Sequence, residues 1–156
     1  MIKFKISKKN IITKLSKPYI IAEACINHEG NIKIAKKMID KAADAGVSAV
    51  KFQFHVLEDE MLKQTPRSDN FKESLYDALN RTNLNIKEHK FLKKYCKQKG
   101  IDYLCTPFSF KSADILDKEI KLNIFKVGSG ELTNLPLQIH IAKKKNLRLF
   151  LQECLQ

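Results

Sequence analysis

Eight polar side chains stand at or just beyond the ends of short apolar runs: Glu23, Lys51, Gln53, Thr106, Ser109, Lys126, Ser129 and Glu131. Lys51 and Gln53 are two apart, so on a strand both point to one face. Lys126 runs into the turn Gly128-Ser129-Gly130. Two ammonium groups, several hydroxyls and the backbone N–H groups of a glycine-rich turn suit a phosphate and a carboxylate together. A carboxylate held near lysines ionises readily and can serve as a base or a metal ligand. A lone lysine at a strand end is usually solvated, but four successive runs ending this way form a pattern. The remaining candidates are weaker. His28 precedes Glu29-Gly30, where a base, a ligand or a helix-capping role all fit. His55, His89 and His140 lack metal-ligand spacing and read as surface or structural groups. The four cysteines form no C-x-x-C pair, so neither a disulfide framework nor a zinc site is signalled.

Such side chains need a scaffold that gathers the ends of several strands. Residues 2–6 and 10–14 flank Ser7-Lys8-Lys9-Asn10 and predict a hairpin. The run Tyr19 to Ala24, after Pro18, predicts a buried strand. A helix follows from Gly30-Asn31 to about Ala45, with Ile34, Ala35, Met38, Ile39, Ala42 and Ala43 at helical spacing and Gly46 as its stop. Residues 48–54 predict the next strand, residues 55–70 an irregular polar stretch, and residues 71–80 and 86–99 two helices. Residues 101–105 read as a strand broken by Thr106-Pro107, followed by a helix over 109–119. A fourth strand over 123–127, a helix over 134–144 and a fifth strand over 147–151 complete the alternation. This order predicts an α/β fold with a parallel sheet and helical crossovers, whose chemistry sits at the carboxyl ends of the strands.

Length and charge bound the reading. At 156 residues the chain has room for one core but is short of the ~250 residues of a complete eight-stranded α/β barrel. A hydrophobic content of 44% excludes a disordered chain. No apolar run approaches the ~20 residues of a membrane span, and the alternating start Met1 to Ile6 lacks the apolar block of a secretory signal. A reduced cytoplasmic setting is expected. The net charge is +12, yet Arg67, Arg81 and Arg148 are the only arginines among 29 basic residues, leaving 29 − 3 = 26 lysines. Arginine is the better reader of phosphates and base edges, so the spread lysines read as a solvated surface, with no nucleic-acid or membrane partner.

Six motifs then occur in order: Ile21-Ala22-Glu23, Ile26-Asn27-His28-Glu29-Gly30, Val50-Lys51-Phe52-Gln53, Glu58-Asp59-Glu60-Met61, Thr106-Pro107-Phe108-Ser109 and Phe125 to Glu131. Together, over about residues 2–147, they resemble the N-terminal part of bacterial sialic acid (N-acetylneuraminate) synthases. The resemblance implies a (β/α)8 TIM barrel opened by a hairpin, of which this chain supplies the first four to five β/α units. It implies a transferase of the EC 2.5.1 type that condenses phosphoenolpyruvate with N-acetylmannosamine and releases phosphate, aided by Mn or Mg in a homodimer. By matching motif, Lys51, Thr106, Lys126 and Ser129 hold phosphoenolpyruvate. Glu23, Gln53 and Glu131 face the sugar and the reacting carbons. Asn70 is a further sugar contact, and Ser109 belongs to its motif without a defined role. A legionaminic or pseudaminic acid synthase fragment is the neighbouring reading, although residues 26–30 and 58–61 lean toward the sialic acid branch. A non-catalytic remnant is the third reading.

The chain departs from the family pattern after Leu149. The family's fifth strand ends in Ser-Thr-Gly-Met, whereas Phe150 to Gln156 read Phe-Leu-Gln-Glu-Cys-Leu-Gln. For one choice of codons, a shifted frame turns that string into Ser-Thr-Gly-Met-Ser-Thr, so a frameshift is the expected origin. The family's metal-binding histidines, the C-terminal half of the barrel and the antifreeze-like domain are then expected beyond residue 156. Unpaired strand edges are expected to leave the fragment with little or no synthase activity, marginal stability and a tendency to aggregate.

Overall fold

The computed structural model describes residues 4–7, 10–64, 66–67, 69, 72–144 and 148–151. Strands β1 (Phe4–Lys5) and β2 (Ile11–Ile12) form an antiparallel hairpin, pairing Phe4 with Ile12 and Lys5 with Ile11. Five strands follow in one sheet whose spatial order is the chain order: β3 (Ile21–Cys25), β4 (Ala49–Phe54), β5 (Asp102–Pro107), β6 (Ile124–Val127) and β7 (Arg148–Leu151). Every neighbouring pair in this sheet is parallel. Parallel neighbours require crossovers, and helices supply them. The result is the opening part of a (β/α)8 barrel.

Local chemistry sets the helix ends. In α1 (Ile32–Asp44) the Asn31 side chain accepts from the N–H groups of Lys33 and Ile34. Gly46 lies just past the end with φ 74°, a left-handed conformation that costs glycine little. Beyond α2 (Leu57–Glu60) and α3 (Leu75–Thr82), α4 (Ile86–Lys99) opens with a reciprocal Asn85–Glu88 capping box and ends at Gly100. Helices α5 (Phe110–Lys118) and α6 (Leu135–Ala142) are capped by Ser109 and Asn134.

Several predicted boundaries move, the helix expected over 71–80 running from Leu75 to Thr82 and the second hairpin strand shrinking to Ile11–Ile12. Thr106-Pro107 does not break β5: Thr106 pairs with Gln53 and Pro107 with Phe54, and the missing N–H of proline falls at the last residue of the strand. The stretch 55–70 contains the one-turn helix α2, pinned by Glu60 Oε1 accepting from Val56 N at 2.7 Å. One turn carries too little periodicity to be read from sequence.

Alternation along the strands creates two cores. Val50, Phe52, Phe54, Tyr103, Cys105, Phe125 and Val127 face the helices and pack with Ala35, Ile39, Leu92, Cys96, Leu116, Leu137 and Ile141. On the opposite face Ala49, Leu104 and Ile124 form a smaller cluster with the fully buried Ile6 of the hairpin. Ile12, Tyr19 and Ile21 border it. Asp102 ties this floor together, accepting from Asn10 Nδ2 at 2.7 Å and from the Tyr19 hydroxyl at 2.8 Å. Among the described residues no helix is long and apolar enough to cross a membrane.

Candidate functional site

One step above the floor on β3, β4 and β6, the same face turns charged. Glu23 on β3 pairs in register with Lys51 on β4, and the Glu23 carboxylate accepts a hydrogen bond from the Lys51 ammonium. Lys51 is 2% exposed while Glu23 is 44% exposed, so the carboxylate looks outward from a buried cation. Lys126 on β6 is half-buried beside them. Its pKa is lowered by burial and by the neighbouring Lys51, against a partial offset from Glu23. Two cations share one carboxylate, so the layer favours an additional anion.

The next residues on this face are Gln53 and Thr106, paired in register at the ends of β4 and β5. Thr106 is 2% exposed, and its Oγ1 has no hydrogen-bond partner. An unpartnered buried hydroxyl beside a cationic layer is a ready contact for an oxyanion. Gly128 passes over it: a Cβ there would lie 3.8 Å from Thr106 Cγ2 and 3.6 Å from the Phe108 ring. Ser129 opens a single 3₁₀ turn, Ser129–Glu131, closed by Glu131 N donating to Gly128 O at 3.0 Å.

Glu131 faces a second space, a cavity of about 290 Å³ bordered by Asp59, Glu60, Phe108, Ser109, Phe110 and Asn134 among others. Asn134 Nδ2 donates to its carboxylate at 2.7 Å. Ser109 borders the same space, but its hydroxyl is committed to the α5 cap, accepting from Ser112 N at 3.1 Å. Asn70 lies outside the described residues. The structure therefore brings Glu23, Lys51 and Lys126 together, sets Gln53 and Thr106 above them, and uses Ser109 as a helix cap.

Two site-bordering groups escape a reading by spacing alone. His55 is buried, and its ring stacks on Phe108 with centroids 4.5 Å apart. Its Nδ1 meets Glu60 Oε2 at 2.7 Å and its Nε2 meets Gln53 Oε1 at 3.2 Å. The available signal was a histidine on the same face as Gln53, followed five residues later by the last acid of Glu58-Asp59-Glu60. His28 braces the turn before α1, its Nδ1 accepting from Gly30 N at 3.2 Å, while Asn31 is the cap itself. Of the two readings left open for His89, surface or structural, the structure takes the second: it is 0% exposed and bonded through Nδ1 to the Tyr103 hydroxyl. Among the described residues no group of three or more His, Cys, Asp or Glu is placed to hold a metal ion.

Comparison with known proteins adds a family. The NeuB family model matches residues 38–151. The chain is 40% identical over 135 residues to the N,N'-diacetyllegionaminic acid synthase of Campylobacter jejuni, covering 83% of this chain and 40% of the relative. It is 32% identical over 140 residues to the N-acetylneuraminate-9-phosphate synthase of Drosophila melanogaster, covering 84% of this chain and 36% of the relative. Among solved structures, the N-acetylneuraminic acid (sialic acid) synthetase of Leptospira borgpetersenii, in complex with citrate, superposes with a TM-score of 0.77 at 31% identity, over 96% of this chain and 48% of that one. The chain thus spans about 40% of the length of the curated relatives it matches.

Proposed function

Because the chain belongs to the NeuB family, we propose that its charged layer is the phosphoenolpyruvate-binding part of a nonulosonate synthase. The observation that carries this reading is the crowding of Lys51 and Lys126 around one carboxylate, with the unpartnered Thr106 hydroxyl next along the same face. Burial first and repulsion from Lys51 second depress Lys126, and an anionic ligand offsets both, so binding and charge neutralisation are one event. In this reading Lys51 and Lys126 take the carboxylate and phosphate charge, Thr106 donates its hydroxyl proton to an oxyanion, and Ser129 adds a contact from the turn. Glu23, whose Oε1 accepts a hydrogen bond from the Lys51 ammonium, is the carboxylate available to take a proton from the reacting centre. Gln53, Glu131 and Asn70 orient the acceptor sugar, and Ser109 acts by holding the amino end of α5 beside the cavity.

The acceptor proposed is N-acetylmannosamine, giving N-acetylneuraminate in a transferase reaction that releases phosphate. The higher identity to the C. jejuni relative favours a second reading, in which the acceptor leads to N,N'-diacetyllegionaminic acid. The Mn or Mg implied by the resemblance finds no ligand group among the described residues, so the proposal assigns it none. Condensation, like a homodimer, is proposed for the family's whole barrel. The test for this chain is a phosphorus NMR titration of the 156-residue protein with phosphoenolpyruvate. Saturable binding that disappears in Lys126→Met is expected. Absence of binding, or equal binding by the variant, overturns the proposal.

A further inference from the structure

The motif Glu58-Asp59-Glu60-Met61 has no part in the charged layer, yet its Glu60 is almost fully withdrawn from solvent. Both side chains of the His55–Glu60 pair are 4% exposed. Each polar atom of the pair has an assigned partner. Glu60 Oε1 accepts from Val56 N at 2.7 Å, and Glu60 Oε2 meets His55 Nδ1 at 2.7 Å. The His55 carbonyl oxygen accepts from Asn83 Nδ2 at 2.9 Å, and Phe108 stacks on the ring. The ring therefore has little room to turn.

Donor accounting then fixes the tautomer. A carboxylate only accepts, so His55 Nδ1 carries the proton that bonds Glu60. In the neutral ring Nε2 is left as a lone pair, 3.2 Å from Gln53 Oε1, so that an acceptor faces an acceptor unless the amide is turned end for end. The two ends of an amide are nearly isosteric, and the end that complements a lone pair is the NH2. Facing the NH2 toward His55 frees the Gln53 carbonyl oxygen. Gln53 is half-buried and lies beside Thr106 at the carboxyl end of β4, next along the face that carries Lys51.

We infer that Glu60 and His55 are positioning residues for Gln53: they hold its amide so that the carbonyl oxygen stands over the charged layer as an acceptor for a donor group, such as a sugar hydroxyl, on the second substrate. This inference rests on the reading of Gln53 as a contact for the acceptor sugar. A neutral Glu60 replacement can either donate or accept, so it no longer dictates where the His55 proton sits.

Nitrogen NMR of the 156-residue chain reads the tautomer directly, without any ligand. His55 is expected to show a protonated Nδ1 and an unprotonated Nε2, and Glu60→Gln is expected to mix the two tautomers. A wild-type ring protonated at Nε2 overturns the inference. Titration with N-acetylmannosamine in the presence of phosphoenolpyruvate gives the functional arm. Glu60→Gln is expected to weaken the sugar about tenfold, the scale of one well-placed hydrogen bond, and to leave phosphoenolpyruvate affinity unchanged. Equal losses for both ligands, or no loss of sugar affinity, overturn it. Failure of the wild type to bind phosphoenolpyruvate strikes the preceding proposal instead, and the tautomer measurement then decides this one alone.

Discussion

Strands β3 to β6 present two faces that obey opposite rules. The helix-facing side chains Val50, Phe52, Tyr103, Cys105, Phe125 and Val127 are apolar or buried aromatic and are closed over by α1, α4, α5 and α6. The other face is apolar only at its floor, where Ile6 plugs it, and becomes charged one residue pair further along. The first face holds the fold together by burying area. The second gives up stability, since Lys126 is partly desolvated beside a like charge and Thr106 Oγ1 lacks a partner. Alternation lets one strand do both, because a shift of a single residue exchanges the two faces.

That contrast can be broken by mutation. Phe125 is 0% exposed in the helix-facing layer, and Phe125→Ala is expected to cost about 3–5 kcal/mol, much of a domain's stability. Denaturant unfolding checks this. Lys126→Met is expected to weaken phosphoenolpyruvate by about a hundredfold, the scale of a lost charged contact, without lowering the melting temperature. A melting point that falls as sharply as for Phe125→Ala would show that the two faces do not differ as described. The depressed pKa of Lys126 also makes a pH prediction. The ligand binds the charged form, so affinity should decline as alkaline pH removes that proton, before ordinary lysines titrate. Calorimetric titrations across this range test it, and a flat profile argues against Lys126.

The helix-facing layer has its own weak point in His28 and His89. Burial lowers the pKa of both, that of His89 to about 3, and each Nε2 is buried without a partner. The unfolded chain binds these protons near pH 6.5 and the folded chain resists them. Stability is therefore full above that value and falls as pH drops toward 3. Thermal melts of wild type and His89→Leu should converge in shape, with the variant losing less on acidification. The smallest effect is expected for Asn85→Ala. Removing the α4 capping box should cost about 1 kcal/mol and leave ligand affinity unchanged, because this cap belongs wholly to the helix layer.

Much of this arrangement was legible because its causes are local. Helix α4 runs from Ile86 to Lys99 as its caps Asn85 and Gly100 dictate. Strand ends at Glu23, Lys51, Thr106 and Lys126 could be gathered on paper because a parallel α/β order sends carboxyl ends one way. What stayed hidden depends on contacts distant in sequence or too short to be periodic. Ser109 looks like a site hydroxyl in its motif, but Ser112 claims it. His55 and Glu60 meet only because α2 is a single turn folded back on β4. The burial of His89 comes from packing against Tyr103 and Phe54, which no spacing within α4 announces.

Gly30 carries a consequence for how the sequence can drift. Its φ is 72°, and a Cβ there would lie 2.6 Å from the backbone oxygen of Arg81 at the end of α3. Gly100 has φ 80° but open space around it, so an asparagine suits it. At codon 30 the penalties of conformation and contact compound, and no side chain escapes the second. A library randomised at both positions and selected for folding alone should return several residues at codon 100 and glycine at codon 30. Invariance at that codon would then record a collision between two backbones, not a demand of catalysis.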